Sequence, residues 1–188
     1  MIQIINKFYC FLKLLNKNNY CADYNYKTFQ EIPFALLKEK GIKYIISDID
    51  QTIVSQSNNL LSQSMQKKLE EVQSLFGKDS FCLLTNEPSD KRTKYFNLFD
   101  IDVIDSKKDK KPCLNAFLNA SNYFGKNIKL ETICFIGDRV FTDIIGANNA
   151  GMVTIRVDVL DTKSDTFVTS ILRWIEKIYI ESCLSQTN

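Results

Sequence analysis

From residue 40 onward, short apolar runs alternate with longer amphipathic stretches. The short runs predict strands at residues 43–48, 80–85, 102–104, 132–137 and 153–157. The amphipathic stretches predict helices at about residues 60–76, 89–97, 112–124, 141–150 and 167–181. Pro112 is typical of a first helical turn, and Gly151 is typical of a helix end. This alternation predicts an α/β fold in which a mainly parallel five-stranded sheet, built from right-handed crossovers, lies between two layers of helices.

The N-terminal segment differs from the rest of what we expect to be a single globular domain. We divide the chain into a lead-in at residues 1–39 and a main body at residues 40–188. Apolar residues recur in the lead-in at helical spacing, together with lysines and without an acid before Asp23: Ile4, Ile5, Lys7, Phe8, Phe11, Leu12, Lys13, Leu15 and Lys17. Three interpretations stay open: a helix packed on the domain, a helix on a membrane surface, and an organelle-targeting segment. The absence of arginine and serine from this stretch weakens the third.

Composition excludes several classes of function. The 188 residues are 45% hydrophobic, which is enough for one substantial core, and the net charge of +2 is too small to indicate nucleic-acid binding. No apolar run approaches the roughly 20 residues that span a bilayer. Six cysteines without a CxxC pair are expected to be reduced thiols. Because the chain has no histidine, any catalysis depends on carboxylates, lysines and hydroxyls.

Polar side chains follow the ends of four predicted strands. In chain order they are Asp48 and Asp50, then Thr85 and Asn86, then Lys111, then Asp138 and Asp143. Ligands of open α/β sheets bind beyond the carboxyl ends of the strands, so we expect these side chains to meet at one rim. Clustered aspartates repel one another, and Mg2+ relieves such repulsion because it prefers oxygen ligands. With a lysine and a hydroxyl nearby, the cluster suits phosphoryl transfer with an aspartate as nucleophile.

The same residues resemble a known family. DIDQT at residues 48–52 is similar to the DxDxT signature of the haloacid dehalogenase (HAD) superfamily of phosphatases. The other three motifs of the superfamily resemble, in order, Thr85, Lys111 and GDRVFTD at residues 137–143. The resemblance implies a Rossmann-like three-layer α/β/α sandwich. It also implies that Asp48 attacks phosphorus and forms an aspartyl-phosphate, while Asp50 serves as general acid and base.

The resemblance implies roles for the remaining candidates as well. Lys111 would steady the nucleophile and the phosphate, which Thr85 and Asn86 would bind. Mg2+ would be held by Asp48, the backbone carbonyl of Asp50, Asp138 and Asp143. Arg139 has two interpretations, a substrate contact and a structural ion pair.

The spacing of the motifs leaves no room for a large cap domain, so the site is expected to be open to bulky substrates. A neighbouring subunit of an oligomer could also supply a lid.

The chain resembles the phosphatidylglycerophosphate phosphatase branch in two segments, KKPCLNAF and IGDRVFTDIIGANNAGM. It departs from the usual motifs of that branch at Gln51 and in LTNEP. That branch implies dephosphorylation of a lipid to phosphatidylglycerol, a cardiolipin precursor. It implies a protein peripheral to a membrane, on the mitochondrial matrix or organelle side in a eukaryote and otherwise cytoplasmic. The alternatives are a soluble phosphatase for phosphoproteins or small phosphate esters, and a non-catalytic phosphate-binding or scaffold domain.

Overall fold

A computed structural model describes residues 19–55, 60–106, 108–163 and 166–186. The predicted N-terminal amphipathic helix therefore lies outside the described residues. The described part contains one parallel sheet whose strands lie in the order β1-β6-β5-β2-β3-β4. The strands are β1 (Tyr24–Tyr26), β2 (Tyr44–Ser47), β3 (Phe81–Thr85), β4 (Asp102–Asp105), β5 (Ile133–Gly137) and β6 (Val153–Val157). The predicted α/β fold is confirmed.

Helices connect the strands and cover both faces of the sheet. They are α1 (Phe34–Glu39), α2 (Gln63–Phe76), α3 (Asp90–Asn97), α4 (Leu114–Ser121), α5 (Ile145–Ala150) and α6 (Phe167–Gln186). A π-helical turn, Val140–Ile144, leads directly into α5, and short 3-10 turns lie at Phe29–Glu31, Lys78–Ser80, Asn122–Phe124 and Leu130–Thr132. Two helix starts are capped by serine, since Ser62 Oγ accepts from the Met65 N–H and Ser89 Oγ accepts from the Arg92 N–H.

The central strands bury both faces, which explains why they are continuous apolar runs in the sequence. Alternate residues of each strand enter opposite layers of the core. In β2, Ile45 packs in the layer beneath α1 and α2, whereas Ile46 packs in the layer beneath α4 and α5. A third, smaller cluster joins Phe141 to Tyr179 and so fixes α6 beside the π turn.

Three details of the prediction are wrong. The sheet has a sixth strand, β1, which pairs with β6 at its edge; three half-exposed residues gave too weak an apolar signal to reveal it. Pro112 lies ahead of α4, which begins at Leu114, and not in its first turn. Cys21 and Cys183 form a disulfide instead of being reduced thiols, and their separation of 162 residues means that only the folded chain brings them together.

Candidate active site

The candidate residues meet at one open cavity beyond the carboxyl ends of the central strands. Asp48 follows β2, Thr85 ends β3, and Asp138 follows β5, so neighbouring strands deliver them to the same rim. The cavity is lined by all of the residues singled out from the sequence: Asp48, Asp50, Thr85, Asn86, Lys111, Asp138, Arg139 and Asp143. The rule for ligand sites in open α/β sheets therefore located the cavity correctly.

Lys111 lies at the centre of the buried part of this cavity. Its Nζ donates to Asp48 Oδ1 at 2.5 Å and to Asp143 Oδ1 at 2.7 Å, and its side chain is only 3% exposed. Burial alone would lower the pKa of Lys111, but the carboxylates of Asp143 and Asp48 outweigh burial and raise it. Lys111 is thus a permanent positive charge between two acids.

Asn86 holds the backbone of Lys111. Its Oδ1 accepts from the Lys111 N–H and from Ser106 Oγ, both at 2.8 Å, and its Nδ2 donates to the Lys111 carbonyl at 3.1 Å. The Thr85 carbonyl oxygen also lies 2.7 Å from Ser106 Oγ, so the single proton of this hydroxyl is shared between the two acceptors. These bonds join the end of β3 to the loop after β4, so Asn86 positions the lysine. Thr85 Oγ1 lines the cavity and accepts from the Glu87 N–H at 3.1 Å.

Two further carboxylates come from the end of β5 and the π turn that follows it. Asp143 Oδ2 accepts from the Arg139 N–H at 3.0 Å, which directs the aspartate back toward β5. Gly137 makes this approach possible, because a Cβ at residue 137 would lie 2.6 Å from the Asp143 Cβ. Asp138 Oδ2 accepts from Arg173 of α6 at 2.7 Å.

Asp48, Asp138 and Asp143 form a buried acidic cluster whose nearest carboxylate oxygens all lie within 4.8 Å of one another. Burial raises the pKa of Asp48 to about 8, with Lys111 opposing the rise and the other two acids adding to it. Burial and Asp143 raise the pKa of Asp138 to about 7, against the effect of Arg173. Hard oxygen donors at this separation fit a divalent cation such as Mg2+. The Asp50 carboxylate lies outside this cluster, and the ligand expected from Asp50 is its backbone carbonyl.

Asp50 instead pairs with Arg92 from the first turn of α3. The guanidinium donates from Nη1 to Asp50 Oδ2 at 2.7 Å and from Nη2 to Asp50 Oδ1 at 2.6 Å, which is a bidentate pair. The hydrogen bond to Asp50 raises the pKa of Arg92 above its ordinary value. The pair places the second carboxylate of DIDQT at the cavity wall, apart from the acidic cluster.

Arg139 forms the structural ion pair that was one of its two interpretations. Its Nε donates to Glu176 Oε2 of α6 at 2.9 Å, and Glu176 Oε1 also accepts from the Phe141 N–H at 3.0 Å. Burial raises the pKa of Glu176, and Arg139 opposes that rise. Arg139 also lines the cavity, so the ion pair does not remove it from reach of a ligand.

Sequence reasoning missed Arg92, Arg173 and Thr169, which also line or reach the cavity. All three lie on helices, and no motif marks them. Their proximity to the strand ends depends on how α3 and α6 dock, which local pattern does not encode.

The chain is similar to a family of known phosphatases. The model of the family described as mitochondrial PGP phosphatase matches residues 5–159. A probable phosphatase, YqeG, of Bacillus subtilis is 31% identical over 75% of this chain and 78% of its own length. The Arabidopsis thaliana phosphatidylglycerophosphate phosphatase 1, chloroplastic/mitochondrial, is 26% identical over 80% of this chain and 44% of its own length. A probable mitochondrial phosphatidylglycerophosphatase of Schizosaccharomyces pombe is 27% identical over 67% of this chain and 68% of its own length.

A solved structure supports the fold. The crystal structure of an uncharacterized protein from Listeria monocytogenes serotype 4b superposes with a TM-score of 0.51 at 20% identity, and covers 66% of this chain and 85% of its own. The motifs at the strand ends, the parallel sheet and the family match agree with one another. The chain therefore belongs to the mitochondrial PGP phosphatase family and is a phosphatase, with strand-end motifs that resemble those of the haloacid dehalogenase superfamily.

Proposed function

We propose that this phosphatase removes the terminal phosphate of phosphatidylglycerophosphate and leaves phosphatidylglycerol, with Mg2+ as cofactor and Asp48 as nucleophile. The observation that carries the chemistry is the buried contact of Asp48 with Lys111 beside Asp138 and Asp143. The names of the plant and yeast relatives support the lipid substrate.

In the proposed reaction a carboxylate oxygen of Asp48 attacks phosphorus, and the bond between phosphorus and the glycerol oxygen breaks. Asp50 gives a proton to that oxygen as it leaves. Asp50 then takes a proton from a water molecule, which attacks the aspartyl-phosphate, releases inorganic phosphate and regenerates Asp48. Lys111 offers its charge to the nucleophile and to the phosphoryl oxygens, and Thr85 offers a hydroxyl.

Asp50 must part from Arg92 before it donates its proton. A guanidinium carries only donors, so a protonated carboxyl oxygen facing Arg92 would have no acceptor there. We propose that the arriving substrate separates the pair, because its phosphate offers Arg92 an alternative bidentate partner. Arg92 then contacts substrate as Asp50 turns to the leaving oxygen.

The three buried aspartates fit Mg2+ as ligands, together with the backbone carbonyl of Asp50. When bound, the ion would neutralise charge on the phosphoryl group and on the carboxylates that surround it. In the described residues the connection from β2 to β3 holds a single α-helix, α2, and the connection from β3 to β4 holds α3, so neither contains a cap domain. An active site without a cap suits a substrate whose headgroup is presented from a membrane.

A phosphate-release assay tests the proposal on three substrates: phosphatidylglycerophosphate in mixed micelles, phosphopeptides, and small phosphate esters. We expect Mg2+-dependent release that is fastest from the lipid. Release from the soluble substrates alone would support a soluble phosphatase instead. An absence of turnover from every substrate, with Mg2+ present, would favour a phosphate-binding or scaffold role.

A further inference from the structure

One part of the catalytic cavity is rich in hydrogen-bond donors. Four of the residues that line the cavity form this part, which we call the donor wall: Arg139, Thr142, Thr169 and Arg173. The first two belong to the segment after β5, and the last two belong to α6. Guanidinium groups and hydroxyls that line the same cavity are suited to bind an anion.

The α6 half of the donor wall lies beyond the region that the family model covers. The match ends at residue 159, and α6 begins at residue 167. Thr169, Arg173 and Glu176 are spaced i, i+4 and i+7, so they lie on one side of the helix. That side is directed to the active site, since Thr169 and Arg173 line the cavity and Glu176 binds Arg139. The helix thus adds binding groups to the motifs that the sheet carries.

Contacts on the C-terminal side of Arg173 hold α6 against the domain. The ring of Tyr179 packs edge-on against Phe141, with 5.5 Å between centroids. Further along the helix, Cys183 is bonded to Cys21. The helix therefore presents Arg173 from a fixed support, and a guanidinium that is already positioned loses less entropy when it binds a ligand.

Arg173 lies between a buried acid and the solvent. Its Nη1 donates to Asp138 Oδ2 at 2.7 Å, and its side chain is 16% exposed whereas that of Asp138 is 2% exposed. A guanidinium presents five N–H donors in a planar fork, which is more than one carboxylate accepts. Arg173 can therefore contact Asp138 and an incoming anion together.

The phosphate that is transferred has a different cation. Lys111 is bonded to Asp48 and Asp143 in the buried part of the cavity, where it serves the nucleophile and the phosphoryl oxygens of the proposed reaction. Arg173 is bonded to the third acid of the cluster and is more exposed than Lys111. It is therefore suited to a part of the substrate that extends from the transferred phosphate toward solvent.

We propose that Arg173 binds a second anionic group of the substrate, and so selects phosphate monoesters that carry one. This inference rests on the proposed function, which gives that group its chemical identity. In phosphatidylglycerophosphate, a glycerol joins the terminal phosphate to a phosphodiester that carries one negative charge. Arg173 would bind this phosphodiester through charge-assisted hydrogen bonds. It is a specificity-determining residue and takes no part in the transfer of protons or of the phosphoryl group.

Two water-soluble substrates test the inference on the full-length protein. One is the deacylated headgroup of phosphatidylglycerophosphate, and the other is the same molecule with its bridging phosphate methylated. Methylation removes the charge of the bridging group and changes its shape little. With saturating Mg2+, we expect kcat/KM of the wild type to be about tenfold or more higher for the charged substrate. Equal values for the two substrates, or hydrolysis of neither, would overturn the proposal.

Arg173→Gln should reduce this preference to about twofold or less, because glutamine supplies no charge to the second anion. Arg173→Lys should keep part of the preference, since it retains the charge without the planar fork. Loss of the contact with Asp138 should lower the activity of Arg173→Gln on both substrates, so the ratio of the two kcat/KM values is the quantity to compare. An equal fall on both substrates would show that Arg173 acts only through Asp138, and would overturn the proposal.

Arg156→Gln is the matched control. Arg156 pairs with Asp158 at 2.9 Å and lines an adjoining cavity together with Arg173, so its replacement removes one positive charge from the same region. The preference of Arg156→Gln for the charged substrate should stay within about twofold of wild type. An equal loss of preference in Arg156→Gln and Arg173→Gln would show that the general charge of this region, and no contact of Arg173, selects the substrate.

Activity on the lipid in mixed micelles separates this inference from the proposed function. If wild type hydrolyses the lipid and Arg173→Gln keeps the preference for the charged headgroup, the role of Arg173 is wrong and the proposed function stands. If wild type hydrolyses no lipid but Arg173→Gln loses the preference that wild type shows, the lipid substrate is wrong and Arg173 still selects a second anion.

Discussion

Replacing Lys111 with methionine removes the charge that holds two buried acids together. Methionine has nearly the same length, so the change is mainly electrostatic. In the wild-type cluster the carboxylates of Asp48, Asp138 and Asp143 are opposed by Lys111 and Arg173. Without Lys111 the cluster loses a cation that forms ion pairs with two of its three acids, and Asp48 and Asp143 lose hydrogen bonds of 2.5 and 2.7 Å respectively.

The expected cost follows from this burial. Breaking a buried ion pair by removing one partner typically destabilises a protein by about 3–5 kcal/mol. We expect a loss of that size in the free energy of unfolding for Lys111→Met at pH 8 with EDTA present. At pH 5 the loss in the free energy of unfolding should be smaller, because protonated carboxyl groups carry no negative charge for Lys111 to offset. Mg2+ at pH 8 should recover part of the loss, since it supplies positive charge to the same oxygens.

Urea unfolding followed by far-UV circular dichroism measures these differences. Lys108→Met is the matched control: this lysine lies exposed in the same loop, and its replacement should change stability by no more than about 0.5 kcal/mol. Equal stability of Lys111→Met and Lys108→Met at pH 8 without Mg2+ would show that Lys111 does not stabilise the acidic cluster. An equal loss of stability at pH 5 and pH 8 would show that the effect of Lys111 does not depend on the charge of the carboxyl groups.

Three further predictions concern other parts of the site. Arg92→Gln should lower kcat/KM for the lipid by about tenfold or more, because the charge-assisted contact with the substrate phosphate is lost. The free energy of unfolding should change by about 1 kcal/mol or less. Unchanged kinetics would show that Arg92 has no part in the mechanism. The folded-state pKa values of Asp48 and Asp138 are raised to about 8 and about 7, so metal-free protein should lose stability as pH rises from about 4 to 8. Mg2+ should therefore raise the melting temperature more at pH 8 than at pH 5. An equal rise in melting temperature at both pH values would contradict this. Gly137→Ala should abolish phosphatase activity, because the added Cβ would displace Asp143. Normal activity of this variant would show that the close approach of Asp143 to residue 137 is not needed.

The sequence predicted the centre of the fold well, for a physical reason. Strands buried on both faces are uninterrupted apolar runs, so β2, β3, β5 and β6 were placed within a residue or two of their true bounds. The edge strand β1 was missed because it is short and half-exposed. The other edge strand, β4, is also partly exposed and was still placed within one residue, because Val103 and Ile104 give it an apolar signal that the sequence of β1 lacks.

The residues of the candidate site likewise fall into those that sequence position predicted and those that it did not. Asp48 and Asp138 directly follow strands, and topology alone brings such residues to one rim, so sequence position was enough to group them. Arg92 and Arg173 reach the same cavity from helices, through contacts that depend on how those helices pack. The bond between Cys21 and Cys183 likewise depends on the folded chain. Motif position predicts groups carried by the sheet, and tertiary packing decides the rest.

Asp48 is the residue that we propose takes the phosphate from phosphatidylglycerophosphate. A single-turnover reaction with lipid labelled in its terminal phosphate, quenched in acid, tests this most directly. Wild-type protein with Mg2+ should carry label that survives acid and is released by hydroxylamine, as expected for an acyl phosphate, and Asp48→Asn should carry none. Equal hydrolysis of the labelled lipid by wild type and Asp48→Asn would show that Asp48 is not the nucleophile.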